Sequence, residues 1–442
     1  MHALHRLERA VDAAVQDLQP LRIGGRITEV TPSHYCVSGL SRFLQLGECV
    51  SFTVDGRAEI GEVVRLDASR AIVKPFSAKL DTGLGSVAYR LGRLSISPHP
   101  SWKGRVVNAL GAPIDGAGPL RRGERSMASD AAPPTPMRRS RVKSPLRTGV
   151  RIIDFFSPLC AGQRIGIFSG SGVGKSTLLS MLAGCKGFDT VVIALVGERG
   201  REVREFLDEA LAANRQRAVT VVSTGDESPM MRRLAPKTAM NVAEYFRDLG
   251  DQVLLILDSV TRFAHAARDA ALAAGEPAVA RGYAPSVFSD LPKLLERAGP
   301  GEEGSGSITG VFAVLVDGDD HNDPVADSIR GTLDGHIVLD RPIADQGRYP
   351  AMNVLSSVSR LAHHVWTPEQ SALVAKLRAM VARFEETRDL RLMGGYQPGN
   401  DADLDQAVAL VPKIYNAMLQ SPQSPRSDDA FRELADALQP RK

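Results

Sequence analysis

A glycine-rich turn between a β-prone run and a helix-forming run constrains this chain more than any other stretch. Arg164-Ile165-Gly166-Ile167-Phe168 leads into Ser169-Gly170-Ser171-Gly172-Val173-Gly174, and Lys175-Ser176-Thr177-Leu178-Leu179 then opens an apolar helix. Strand, G-x-x-x-x-G-K-[ST], helix is the order of a phosphate-binding loop, with one departure: Ser169 stands where the pattern has its first glycine. Gly170, Gly172 and Gly174 permit positive φ and close backbone approach, so successive N–H groups can converge on phosphate oxygens. The helix N-terminus adds partial positive charge. In this pattern Lys175 reaches the outer phosphates and the Ser176 hydroxyl sits on Mg²⁺. Residues 169–177 are therefore the predicted nucleotide-phosphate cradle.

Length and composition narrow the setting. At roughly 100–200 residues per domain, 442 residues predict two to four domains. The chain is 43% apolar and 24% charged, as in soluble globular proteins. No run approaches the ~18 apolar residues of a membrane span, and no apolar segment of signal-peptide type opens the sequence. Cys36, Cys49, Cys160 and Cys185 are scattered without a C-x-x-C pair, which fits a reducing cytoplasm. A net charge of +3 is too small to argue for nucleic acid.

Along the chain four patterns follow one another. In residues 1–20, Leu4, Leu7, Val11, Ala14 and Leu18 recur at intervals of three and four, predicting an amphipathic helix. That stripe can pack on its own domain, meet a partner helix or touch a membrane surface. Residues 21–97 carry short β-prone runs separated by turns such as Asp55-Gly56, predicting a small antiparallel β-barrel. Residues 98–365 alternate apolar β-type runs with helical segments, as a mainly parallel α/β core requires. Within them, residues 117–149 form a Pro- and Arg-rich connector with Arg121, Arg122, Arg125, Arg138, Arg139, Arg141, Lys143 and Arg147. No aromatics interleave to stack bases, so a solvated basic loop is the expectation. Residues 366–442 read as a helical C-terminal domain. The acidic stretch 317–323 lacks the order of a calcium loop and is read as a strand-end turn capping the next helix.

Hydrolysis needs more than a phosphate cradle: an acid for the magnesium shell, a carboxylate to orient water, and a positive charge for the transition state. Val253-Leu254-Leu255-Ile256-Leu257-Asp258 is an apolar run ending in Asp, as in a buried parallel strand whose carboxylate lies at the C-terminal edge. A second such run, residues 191–196, leads into Gly197-Glu198-Arg199-Gly200-Arg201-Glu202. Glu198 can face the γ-phosphate across the strand ends, or Glu198 and Glu202 can cap the following helix. Spacing leaves both readings open.

Gly197-Glu198-Arg199-Gly200-Arg201-Glu202 resembles the catalytic segment of the rotary hexameric ATPases, and Pro350-Ala351-Met352-Asn353-Val354-Leu355-Ser356-Ser357-Val358-Ser359 fits that family's signature. Within the family the chain is most similar to the flagellar and type III secretion export ATPases. The stretches that carry this are Arg281-Gly282-Tyr283-Ala284-Pro285-Ser286-Val287-Phe288, Leu294-Leu295-Glu296-Arg297-Ala298-Gly299, Asp334-Gly335-His336-Ile337-Val338-Leu339 and Gly395-Tyr396-Gln397-Pro398-Gly399. The resemblance implies a RecA-like P-loop core between an N-terminal barrel and a C-terminal helical domain, with ATP and Mg²⁺ as ligands. It implies that Glu198 activates water beside Arg199, that Glu202 supports the metal waters with Asp258, and that Arg360 is an arginine finger for a neighbouring subunit. Tyr349 and, more weakly, Tyr396 match adenine-pocket positions. It further implies a cytoplasmic homohexamer at the inner membrane, energising export of flagellar proteins. A regulator or stator on the N-terminal helix, a stalk-like protein, export substrates and chaperones are its implied partners. An injectisome ATPase, an ATP synthase catalytic subunit and an RNA-translocating ring are the alternatives.

Overall fold

The computed structural model describes residues 4, 5, 7, 8, 10, 11 and 22–439, apart from 80 and 317–322. The predicted N-terminal helix therefore lies largely outside the described residues, as does the acidic stretch except Asp323. Two compact units are present: residues 1–94 with 270–276, and the remainder.

The first unit is a closed antiparallel barrel. Its strands are β1 (Gly24–Val30), β2 (Tyr35–Ser38), β3 (Cys49–Val54), β4 (Arg57–Leu66), β5 (Arg70–Pro75) and β6 (Val87–Gly92), closing in the order β1-β2-β5-β4-β3-β6. Alternating side chains fill it: Tyr35 and Val37 of β2 and Val50 and Phe52 of β3 are buried, as a period of two requires. The β3–β4 hairpin turns on Asp55 and Gly56 with φ of 46° and 77°. Two positive φ values at the turn centre match the right-handed twist of the flanking strands, and Asp-Gly tolerates them. The first segment of the unit runs to Leu94, and residues 270–276 complete it.

The second unit is built on a nearly all-parallel sheet. Its main strands are β7 (Val106–Asn108), β8 (Arg164–Ser169), β9 (Thr190–Val196), β10 (Ala218–Ser223), β11 (Gln252–Asp258), β12 (Ser307–Leu315), β13 (Gly335–Leu339) and β14 (Val358–Ser359), in the spatial order β14-β13-β8-β12-β11-β9-β10-β7. Only β14 and the short pair Gly299–Pro300 run antiparallel. Every residue of β9 and β10 is buried, which is why these strands read as unbroken apolar runs. The main helices are α1 (Arg151–Phe156), α2 (Lys175–Ala183), α3 (Gly200–Glu205), α4 (Pro229–Asp248), α5 (Val260–Ala273), α6 (Pro285–Leu295), α7 (Pro324–Thr332), α8 (Pro368–Glu386), α9 (Ala402–Met418) and α10 (Ala430–Leu438). Asp323 caps α7, accepting hydrogen bonds from the Val325 and Ala326 amides.

The C-terminal helices α8–α10 share one apolar core with the sheet: Val374, Val411 and Leu434 pack in the same cluster as Ile165 and Ile167. Thr367 and Gln370 close a capping box at the start of α8, so the helix begins where Thr-Pro-Glu interrupts the preceding pattern. Hydrogen bonds tie this region to the core. The Gln420 amide accepts from the Arg151 N–H at 2.9 Å and donates to the Gly149 carbonyl at 2.8 Å.

Seven of the eight cations of the basic connector, all but Arg139, are exposed, as the solvated loop expected from composition requires, and some of them are also tied down by distant partners. Arg125 pairs with Asp248 at 2.6 Å and Arg138 with Glu302 at 3.4 Å, while Arg139 donates to the Glu296 and Ala298 carbonyls. Its cations find partners more than a hundred residues away in sequence, which no local pattern displays.

Candidate active site

Parallel pairing delivers the chemistry-bearing residues to one edge. Ser169 is level with Leu315, and Asp258 with both Leu195 and Ala313. The phosphate loop, the Asp258 carboxylate and the Glu198 segment therefore emerge together beyond the C-terminal strand ends, where ligands bind in such sheets.

Within the loop, Gly172 and Gly174 take positive φ, 79° and 93°, and Gly170 does not. Ser169 is the last residue of β8, and its backbone needs no positive φ. That is the physical reason a serine is tolerated at this point of the pattern. Val173 turns into the apolar core and anchors the loop through its side chain. Ser171 offers its carbonyl to Arg341 at 2.9 Å. Tyr349 lies on the loop so closely that a Cβ on Gly174 would meet its ring at 3.3 Å.

The loop floors a cavity of about 740 Å³, also lined by Glu198, Arg199, Glu202, Arg262 and Tyr349. A second cavity of about 400 Å³ lies on the other side of Ser176 and Thr177, closed by Asp258, Glu198, Pro422 and Gln423. Volumes of this size suit a small-molecule ligand.

At the centre, the Lys175 ammonium is in direct contact with the Asp258 carboxylate and lies 3.8 Å from Glu198. Burial pushes the Glu198 carboxyl above the usual carboxylate range; Lys175 opposes that shift, and Asp258 and Glu202 add to it. The helix-capping alternative for Glu198 has no hydrogen bond behind it. Arg199 is the N-cap of α3 and makes no side-chain cap, while Glu202 occupies the first turn. Glu202 accepts from Arg199 at 3.4 Å. Ser176, Asp258, Glu202 and Glu198 together offer the hard oxygen donors that Mg²⁺ takes.

Two predicted residues stand apart. Arg360 follows β14, whose Ser359 pairs with Gly335 at the opposite end of β13. The four strand steps from there to Leu339, which is level with Ser169, span about 13 Å. Arg360 is exposed and does not line its own chain's cavity. Tyr396 sits among the C-terminal helices, where its hydroxyl donates to Asp405 at 2.6 Å, and does not line the cavity either.

The structure adds one residue that sequence reading passed over. Arg262 lines the cavity, and its stem packs against Gly197, where a Cβ would lie 3.0 Å away. Its Nε is buried without a hydrogen-bond partner. The signal was its place four residues after Asp258, one turn into the helix that leaves the same strand end.

Comparison with known proteins bears on the family and the fold. Residues 149–359 match the ATP synthase alpha/beta family nucleotide-binding domain, and residues 366–436 match the T3SS EscN ATPase C-terminal domain. The chain is 58% identical over 416 residues to the flagellum-specific ATP synthase of Rhizobium meliloti, covering 94% of this chain and 89% of that protein. Among solved structures it is similar to the assembled ATPase EscN of the enteropathogenic E. coli type III secretion system. That match has a TM-score of 0.88 and 37% identity, over 93% of this chain and 99% of that one. EscN in complex with its central stalk EscO matches with a TM-score of 0.85 and 36% identity, over the same shares of both chains.

Proposed function

We propose that this chain, which belongs to the flagellar and type III secretion export ATPase family and hydrolyses ATP, works as a homohexameric ring that energises export of flagellar proteins. The flagellar reading is supported by 58% identity over 416 residues to a flagellum-specific relative. An injectisome role is the second reading, supported by the fold likeness to EscN.

In the proposed mechanism the loop amides and Lys175 hold the phosphates, and Ser176 and Asp258 would hold Mg²⁺, which would neutralise phosphate charge. Glu198 orients the attacking water and accepts its proton. Arg262 steadies the phosphate side of the cavity, Glu202 holds Arg199 and the metal waters, and Tyr349 packs on the base. A central stalk partner, as EscN has in EscO, and a regulator on residues 1–20 complete the machine, with export substrates and chaperones as cargo. No described helix is long and apolar enough to cross a membrane, and the proposed place of work is the cytoplasmic face of the inner membrane.

One observation carries the ring. Glu198 faces the cavity, while Arg360 lies beyond the opposite strand ends of the same sheet. A chain holding both halves of a hydrolytic site, unable to join them within itself, completes the site between head-to-tail copies. An arginine finger supplied in trans is worth ~10³–10⁵ in rate, so turnover per chain should collapse on dilution below assembly. Constant turnover per chain across that range contradicts the reading.

A further inference from the structure

The β1–β2 hairpin of the barrel gathers three side chains that the ATPase reading does not use. Glu29 and Cys36 are cross-strand partners, and His34 precedes Cys36 by two residues. The period of two puts His34 and Cys36 on one face, opposite to the barrel-filling Tyr35 and Val37. One ligand atom from each of Glu29, His34 and Cys36 lies within 4.8 Å of the other two. Thiolate, imidazole and carboxylate are the donor set of zinc-class ions, at ligand distances of about 2.0–2.3 Å.

We propose that Glu29, His34 and Cys36 form a binding site for a divalent transition-metal ion of the zinc class, with an open fourth position. The surroundings support it. Thr31 and Ser33 hydroxyls lie 3.0 and 3.1 Å from His34 Nδ1 and orient the ring, as outer hydrogen bonds do for ligating histidines. The Cys36 thiol donates to Glu29 at 3.5 Å; on metal binding its proton leaves to solvent while Glu29 stays ionised as a ligand, so binding weakens on acidification.

Arg70 is the competitor. Its guanidinium lies 2.7 Å from the Glu29 carboxylate and 3.9 Å from the Cys36 sulfur. It has a second carboxylate within reach, Asp67 at 3.5 Å, so ceding Glu29 to a metal does not strand its charge. The metal and the guanidinium thus exclude each other at Glu29, and Arg70 sets the affinity.

The test uses Co²⁺ titrated onto the reduced full chain, read by the thiolate-to-cobalt charge-transfer band and the visible d–d bands. The expected result is one Co²⁺ per chain, displaced by Zn²⁺, with the band absent in Cys36→Ser. Affinity should fall in His34→Ala by at least the roughly 10–100-fold that losing an outer partner costs, and rise in Arg70→Gln. Because His34 is only partly buried, its variant keeps the test valid if Cys36→Ser fails to fold. Absence of the band at stoichiometric Co²⁺, its persistence in Cys36→Ser, or unchanged affinity in His34→Ala overturns the proposal.

Discussion

At the scale of single residues, the site turns on a half-buried carboxylate, Glu198, beside a lysine. Desolvation raises the Glu198 carboxyl, with Asp258 and Glu202 adding to the shift and Lys175 countering it. A general base works only when deprotonated, so a raised value moves the acid limb of the pH–rate profile upward. Turnover should therefore fall on acidification at a pH above the ordinary carboxylate range, and steady-state rates against pH will show it. A profile flat down to that range contradicts Glu198 as the base. Glu198→Gln should lose turnover by about 10²–10⁴-fold, the usual worth of a positioned acid or base, while nucleotide binding, read by fluorescence of a labelled analogue, persists. Glu198 itself was visible in the sequence as an acid after an apolar strand, yet spacing alone left its helix-capping role open. The 3.8 Å approach of Lys175 supports the reading that Glu198 faces the phosphates, because it brings together residues from two different strand ends.

At the scale of elements, some stretches that mark the family carry scaffold rather than chemistry. Arg297, from Leu294-Leu295-Glu296-Arg297-Ala298-Gly299, is 4% exposed and paired with Glu244 of α4, also 4% exposed, at 2.9 and 2.7 Å. It also donates to the Ser129 carbonyl of the connector at 2.9 Å. Breaking one half of a buried pair leaves the other charge stranded, a cost of about 3–5 kcal/mol. Arg297→Met should lower the urea midpoint accordingly, and Arg297→Met with Glu244→Met should recover part of the loss. A double variant less stable than the single one contradicts that account. Asp334, from another family stretch, accepts from the Arg164 backbone and guanidinium at 2.9–3.1 Å and sets where β8 enters the sheet. The strands were legible because burial on both faces makes them apolar throughout. The connector's ion pairs were not, since partners such as Arg125 and Asp248 meet only after folding.

At the scale of the whole molecule, the phosphate loop and Arg360 lie beyond opposite strand ends of the sheet, about 13 Å apart along β13. The barrel, the parallel core and the order of the phosphate loop followed from alternation, apolar runs and glycine spacing. The separation of Arg360 from its own loop did not, because it depends on β14 turning antiparallel beside β13. That separation makes the central claim, a site completed between copies, directly testable by mixing two inactive variants. Lys175→Ala lacks the phosphate-binding ammonium but retains Arg360, and Arg360→Ala has the reverse defect. Each alone should hydrolyse ATP at background. Co-assembled, interfaces pairing an intact loop with an intact Arg360 should restore a substantial fraction of wild-type turnover. Continued background activity in assembled mixtures, with both variants present in the same ring, contradicts the shared site.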